Sequence, residues 1–224
     1  MNKIIFFDNI SFKLKLLHFL FKTYKLNGSN FCYQLYKNNC YLTGSFILSL
    51  LNYTNLSDVD VFSFNNDNNF EDYLLSNGFV VKDTQDEYFS YKYNLNVISV
   101  KNFFCKHSEL PIQVIKCDIT KTIENILDHF DLTICMNYFD GKSLICKYKN
   151  DIIEKKFDAY IKYPLHLKTD ERIKKYQSRG YMCKHVHDPQ KLIHDSDEKC
   201  VYNILSPINT KITREIFNPK NFTN

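Results

Sequence analysis

Residues 41–64, YLTGSFILSLLNYTNLSDVDVFSF, decide how the rest of the chain is read. A short extended run at residues 40–43 enters a turn at Gly44 and Ser45. Phe46, Ile47, Leu48, Leu50 and Leu51 then supply the apolar content of a short helix, which should lie against a sheet. After a polar loop, Val59, Val61 and Phe62 mark a strand. Asp58 and Asp60 share one face of it, because side chains two apart on a strand point the same way. Two carboxylates side by side repel each other and are costly to bury uncompensated, so something positive is expected between them.

Phosphoryl and nucleotidyl transfer require hard oxygen ligands for a divalent metal and a backbone turn that steadies a phosphate tail. Asp58 and Asp60 offer the first. The amides of Gly44 and Ser45, at a helix start, offer the second. An isolated Asp-x-Asp is usually a solvated strand end. The ordered series of turn, helix, loop and strand is much more specific.

Gly44-Ser45 followed by Asp58-Val59-Asp60-Val61 resembles the signature of the nucleotidyltransferase superfamily typified by DNA polymerase beta. The core elements of the resemblance cover residues 38–120. The chain also looks like nucleotidyltransferase-like proteins of large DNA viruses, through Phe130-Asp131-Leu132-Thr133 and the segment from Arg172 to Gly180 that holds Lys175, Tyr176 and Arg179. The resemblance implies an α+β fold, a small mixed sheet backed by helices, with a helical C-terminal portion. It implies Mg²⁺ or Mn²⁺ at Asp58 and Asp60 and a nucleoside triphosphate over Gly44 and Ser45. An acceptor hydroxyl would attack the α-phosphorus as pyrophosphate leaves.

Active members of the superfamily carry a third carboxylate on a later strand. The matching strand here reads Ile112-Gln113-Val114-Ile115, which puts Gln113 at that position. A glutamine offers a carbonyl oxygen without charge, so it holds metal less strongly and cannot act as a base. Asp118 and Glu109 are remoter substitutes, and Asp118 suits a cap for the next helix better. Two readings therefore stand: an active nucleotidyltransferase, or a degenerate fold serving as a viral structural, interaction or nucleic-acid-binding module.

The rest of the chain supports this core. Its 224 residues can bury a substantial core, and +4 from 29 basic and 25 acidic residues is too balanced to imply nucleic-acid binding by itself. Eight scattered cysteines fit a reduced intracellular compartment, host cytoplasm or a virion if the source is viral. Asp8, Asn9, Lys13 and Lys15 interrupt the N-terminal apolar stretch, so neither a signal sequence nor a membrane span is expected. The abundance of Phe and Tyr accompanies many Asn, Lys and Ile, a compositional drift that says little about stacking platforms.

Helices are expected at residues 11–24, 30–36, 70–75 and 122–130, and strands at 79–82, 88–93, 96–100 and 111–116, mostly antiparallel. Residues 132–138 and 142–148 flank Asp140-Gly141 as a hairpin. The core with its N-terminal helices is taken as residues 1–148. A helical region and tail, residues 149–224, should pack on it, with a helix from Asn150-Asp151 through residue 160 and another from a Thr169 cap through Ser178. Gly180 ends the second helix. The basic face of Arg172, Lys175 and Arg179 suits a triphosphate, a nucleic-acid backbone or an acidic protein. Cys183, His185, His187, His194 and Cys200 have zinc-binding side chains but follow no compact zinc-knuckle spacing.

Overall fold

The computed structural model describes residues 5–6, 9–52, 58–83, 97–161 and 166–188. The chain begins with β1 (Ile5–Phe6), α1 (Asn9–Tyr24) and α2 (Gly28–Lys37). Phe12, Leu16, Phe19 and Leu20 recur at helical spacing and are all buried, which fixes the inner face of α1. Asn27 caps α2 by accepting the Asn30 amide at 3.0 Å. Next come β2 (Cys40–Thr43), α3 (Gly44–Asn52), β3 (Val59–Ser63), α4 (Asn69–Ser76) and β4 (Val80–Asp83). The core continues through β5 (Val97–Cys105), β6 (Ser108–Cys117) and α5 (Ile123–Leu127), then β7 (Asn137–Phe139) and β8 (Leu144–Cys146).

These strands form one eight-stranded sheet in the order β1-β8-β7-β2-β3-β6-β5-β4. β3 and β6 run parallel, and the other neighbours are antiparallel. Strand alternation sorts the side chains into two cores. Leu42, Val59, Val61, Ile112 and Val114 join residues of α1 to α4 in the larger one. Phe62, Val100, Ile115 and Cys117 pack on the other face with Ile123, Ile126 and Leu127 of α5. Asp60, Gln113 and Asn102 alternate with the first group and so belong to the second face. The α+β class, with a mixed sheet backed by helices and a C-terminal helical stretch, is as the sequence predicts.

Four local expectations are corrected. Residues 132–138 are not one strand: Thr133–Cys135 is a 3-10 turn. Thr133 explains it, because its hydroxyl donates to Asp151 Oδ2 and accepts the Asp158 amide, each at 3.0 Å. The next helix, α6 (Lys149–Glu154), stops at Lys155, whose φ of 52° is left-handed, and β9 (Lys156–Tyr160) replaces its expected second half. Thr169 does not cap α7 (His166–Ser178) but lies inside it, donating to Asp131 Oδ2 at 3.1 Å. Residues 182–187, expected within the tail after Gly180, form β10 (Met182–His187), parallel to β9.

The strand expected at 88–93 and the last residues of the tail lie outside the described residues. Among the described residues, no helix is long and apolar enough to cross a membrane.

Candidate functional site

Gly44 opens α3 with a φ of +70°, a conformation that disfavours any side chain. A Cβ built there would stand 3.8 Å from Asp60 Oδ2 and 4.0 Å from the Phe130 ring. The bend and the strand carboxylate therefore meet, although 15 residues and a helix separate them in sequence. Asp60 is half-buried, and Asp58 is exposed just before β3.

Gln113 faces Asp60 directly in the parallel pairing of β3 with β6. It is buried and donates through Nε2 to Asn102 Oδ1 at 3.0 Å. Asn102 is in turn Gln113's partner across the β5–β6 pair. One rung of the sheet thus carries Asp60, Gln113 and Asn102, with a charge on the first alone. Asp118 lies past the end of β6, where its carboxylate accepts the Thr120 amide at 2.8 Å. Glu109 sits near the opposite end of the strand, four residues before Gln113.

The Ser45 side chain hydrogen-bonds to the Tyr176 phenol of α7. Tyr176 is buried and also accepts from Cys135 Sγ at 3.3 Å. Burial, with a smaller contribution from Cys135, raises its phenol well above the ordinary tyrosine range. At the other end of α3, Asn52 donates to the Tyr181 hydroxyl. The C-terminal helix and the residues after it thus clasp the helix that carries the turn.

Arg172 and Lys175 on α7 and Arg179 just past its end have different surroundings. One Arg172 nitrogen, Nη1, donates to both oxygens of Asp131 at 3.0 Å, tying α7 to the segment after α5. Lys175 is exposed. The Arg179 guanidinium lies over the Tyr176 ring, 5.5 Å from its centre, with Nη1 buried and unpartnered among the described residues. Thr43 Oγ1, immediately before the turn, is likewise buried without a partner among them. An orphaned buried donor costs about 1–3 kcal/mol, a cost that the phenols of Tyr24 and Tyr73 also carry.

The model of the Gabija anti-defense 2 family matches residues 10–156. The chain belongs to that family. It is an anti-defense family, not the grouping of large-DNA-virus proteins expected from the later segments. No curated protein matches the chain by sequence.

Solved CCA-adding enzymes share the fold of this Gabija anti-defense 2 family member. The Thermotoga maritima enzyme complexed with tRNA_CCA is 16% identical with a TM-score of 0.55, over 85% of this chain and 45% of that one. A CCA-adding enzyme with ATP is 19% identical with a TM-score of 0.54, over 81% and 43%. An apo form is 18% identical with a TM-score of 0.53, over 84% and 45%. The chain spans less than half the length of these enzymes, and at such identity the likeness is one of fold: nucleotidyltransferase-like.

Of the residues singled out from sequence, Gly44 and Asp60 lie close together, with Ser45 next to Gly44 in the chain. Gln113 shares their sheet face, and Asp58 flanks Asp60. Arg172 is engaged by Asp131, while Lys175 sits on the helix that contacts Ser45 and Arg179 follows its end. Sequence reasoning missed Asn102 and Thr43. Counting back across the hairpin between β5 and β6 would have found Asn102. Thr43 has no sequence signal beyond preceding the turn. Cys183, His185 and His187 lie on β10, and His194 and Cys200 are outside the described residues.

Proposed function

We propose that the chain is a divalent-metal-dependent nucleotidyltransferase that moves a nucleoside monophosphate from a triphosphate to a hydroxyl acceptor. The observation that carries this is the approach of Gly44 to the Asp60 carboxylate. The donors fit a hard divalent cation: two carboxylates, one exposed and one half-buried, with an amide on the same rung as Asp60. Asp58 and Asp60 would hold Mg²⁺ or Mn²⁺, which when bound neutralises charge developing on the phosphates.

The backbone amides at Gly44 and Ser45 orient the phosphate tail at the helix N-terminus. Ser45 contributes through its amide while its hydroxyl is occupied by Tyr176. Lys175 of α7 and Arg179 just past its end, with a buried unpartnered nitrogen among the described residues, supply cationic donors. The family description directs the acceptor or partner search to components of a Gabija defence system.

Calorimetric titration of Mn²⁺ with each nucleoside triphosphate tests the reading. Asp58→Asn with Asp60→Asn should abolish nucleotide-dependent metal binding while the thermal melt remains cooperative. Identical titrations for wild type and double variant would reject the site.

The uncharged Gln113 opposite Asp60 favours a second reading, a nucleotidyltransferase fold without chemistry that engages a nucleic acid or an acidic protein through the basic face of α7. Incorporation of labelled nucleotide into any acceptor, lost in Asp60→Asn, excludes it. Binding to an acidic partner that survives Asp60→Asn but fails in Lys175→Glu supports it.

A further inference from the structure

The pair β9–β10 is irregular at one place. Cys183 faces Phe157 and His185 faces Asp158, so Lys184 is an extra residue bulged out of the ladder. Regular pairing would have set His185 opposite Ala159, which with Phe157 is completely buried. The bulge instead places His185 opposite Asp158 and His187 opposite Tyr160, on the outer face.

The consequence is a convergence of three metal-ligating groups. One ligand atom each from Asp158, His185 and His187 lies within 4.8 Å of the others. His185 Nδ1 already stands 2.9 Å from Asp158 Oδ1. The His187 ring stacks on Tyr160, 4.7 Å between centres and 16° from parallel, which limits its rotation. Donors around tetrahedral zinc stand about 3.3–3.6 Å apart, so side-chain adjustments of roughly 1 Å close the set.

We propose that Asp158, His185 and His187 form a binding site for Zn²⁺ or a similar first-row divalent cation, one that clips β10 to β9. Two imidazoles and one carboxylate suit borderline-soft cations, whereas Asp58 and Asp60 suit hard ones, so the two sites select different metals. Water fills the remaining coordination positions of this exposed site. Lys184 Nζ competes for Asp158, at 3.3 Å from Oδ2, but it also reaches Asp151 Oδ1 at 2.8 Å and retains that partner when the metal takes Asp158. Cys183 is excluded from the set. It pairs with Phe157 on the buried side, where it packs against the larger core.

The test uses the full chain, stripped with chelator and titrated with Zn²⁺ by calorimetry and with Co²⁺ by absorption. The expected result is one equivalent of Zn²⁺, with His185→Ala, His187→Ala and Asp158→Asn each weakening binding at least tenfold. Cys183→Ser and the Asp58→Asn, Asp60→Asn double variant should bind as wild type does, separating this site from the nucleotide reading. Zn²⁺ should also raise the Tm of wild type but not of the His185→Ala, His187→Ala variant, a difference that holds even if the variant melts earlier. Failure of wild type to bind Zn²⁺, retention of binding in that double variant, or loss of binding in Cys183→Ser would each overturn the proposal.

Discussion

Asp60 and Gln113 occupy the same rung of the sheet, one on each strand of the parallel pair. Restoring a charge at the second position has opposite effects with and without metal. In metal-free protein, Gln113→Asp sets a buried carboxylate beside the half-buried Asp60 and removes the donor that Asn102 accepts, costing about 1–3 kcal/mol. With Mn²⁺ present the added ligand should raise affinity about tenfold and offset the loss. Urea denaturation and Mn²⁺ titration measure the two effects. Unchanged Mn²⁺ affinity would place position 113 outside the metal's reach.

Removing Arg172 leaves Asp131 in a nearly closed environment with the Thr169 hydroxyl as its other recorded side-chain partner. The Asp131 side chain is 8% exposed and that of Arg172 is 52% exposed, so the loss should fall below that of a fully buried pair. Arg172→Ala is expected to cost about 1–3 kcal/mol. Combined with Asp131→Asn it should cost less than the sum of the two, measured by urea denaturation.

Two left-handed glycines should behave very differently. A Cβ at Gly141 would lie 2.1 Å from the Cys32 carbonyl oxygen and 3.0 Å from the Tyr36 amide nitrogen, so the β7–β8 turn must shift away from α2. At Gly78 a Cβ would meet nothing within 4 Å. Gly78→Ala should cost about 1 kcal/mol from backbone strain alone, and Gly141→Ala about 3 kcal/mol or more. Denaturant midpoints of the two variants make the comparison.

Stability should decline in alkali. Burial pushes the Cys40, Cys117 and Cys146 thiols up to about 12, from an ordinary value of 9.0. The folded state therefore keeps protons that the unfolded chain releases. This contribution is complete below pH 9 and is lost as pH rises toward 12, at about 1.4 kcal/mol per pH unit for each thiol. Urea midpoints between pH 8 and 11 should fall, and Cys146→Ala should flatten the slope.

The legible parts of the sequence were those carried by local pattern. Gly44, the apolar run of α3 and the alternation of Val59 and Val61 around Asp60 each specify conformation within a few residues, and together they fixed both element order and the central strands. The Asp140-Gly141 turn was legible for the same reason. Residues 155–160 were misread because Phe157 and Ala159 fit either a helix or a strand face, and the choice rests on pairing with residues 182–187. Thr169 looked like a cap because its partner, Asp131, is 38 positions away. The bulge at Lys184 also escaped, since one extra residue in a ladder leaves composition unchanged.

Ser45 and Asn52, at opposite ends of α3, each engage a tyrosine contributed by residues 176–181. Whatever occupies the turn and whatever grips the C-terminal helix must therefore act on a common mechanical joint. On the proposed nucleotide reading the influence is mutual by thermodynamic reciprocity: a partner that draws α7 away from α3 would weaken nucleotide binding by the same factor that bound nucleotide weakens that partner.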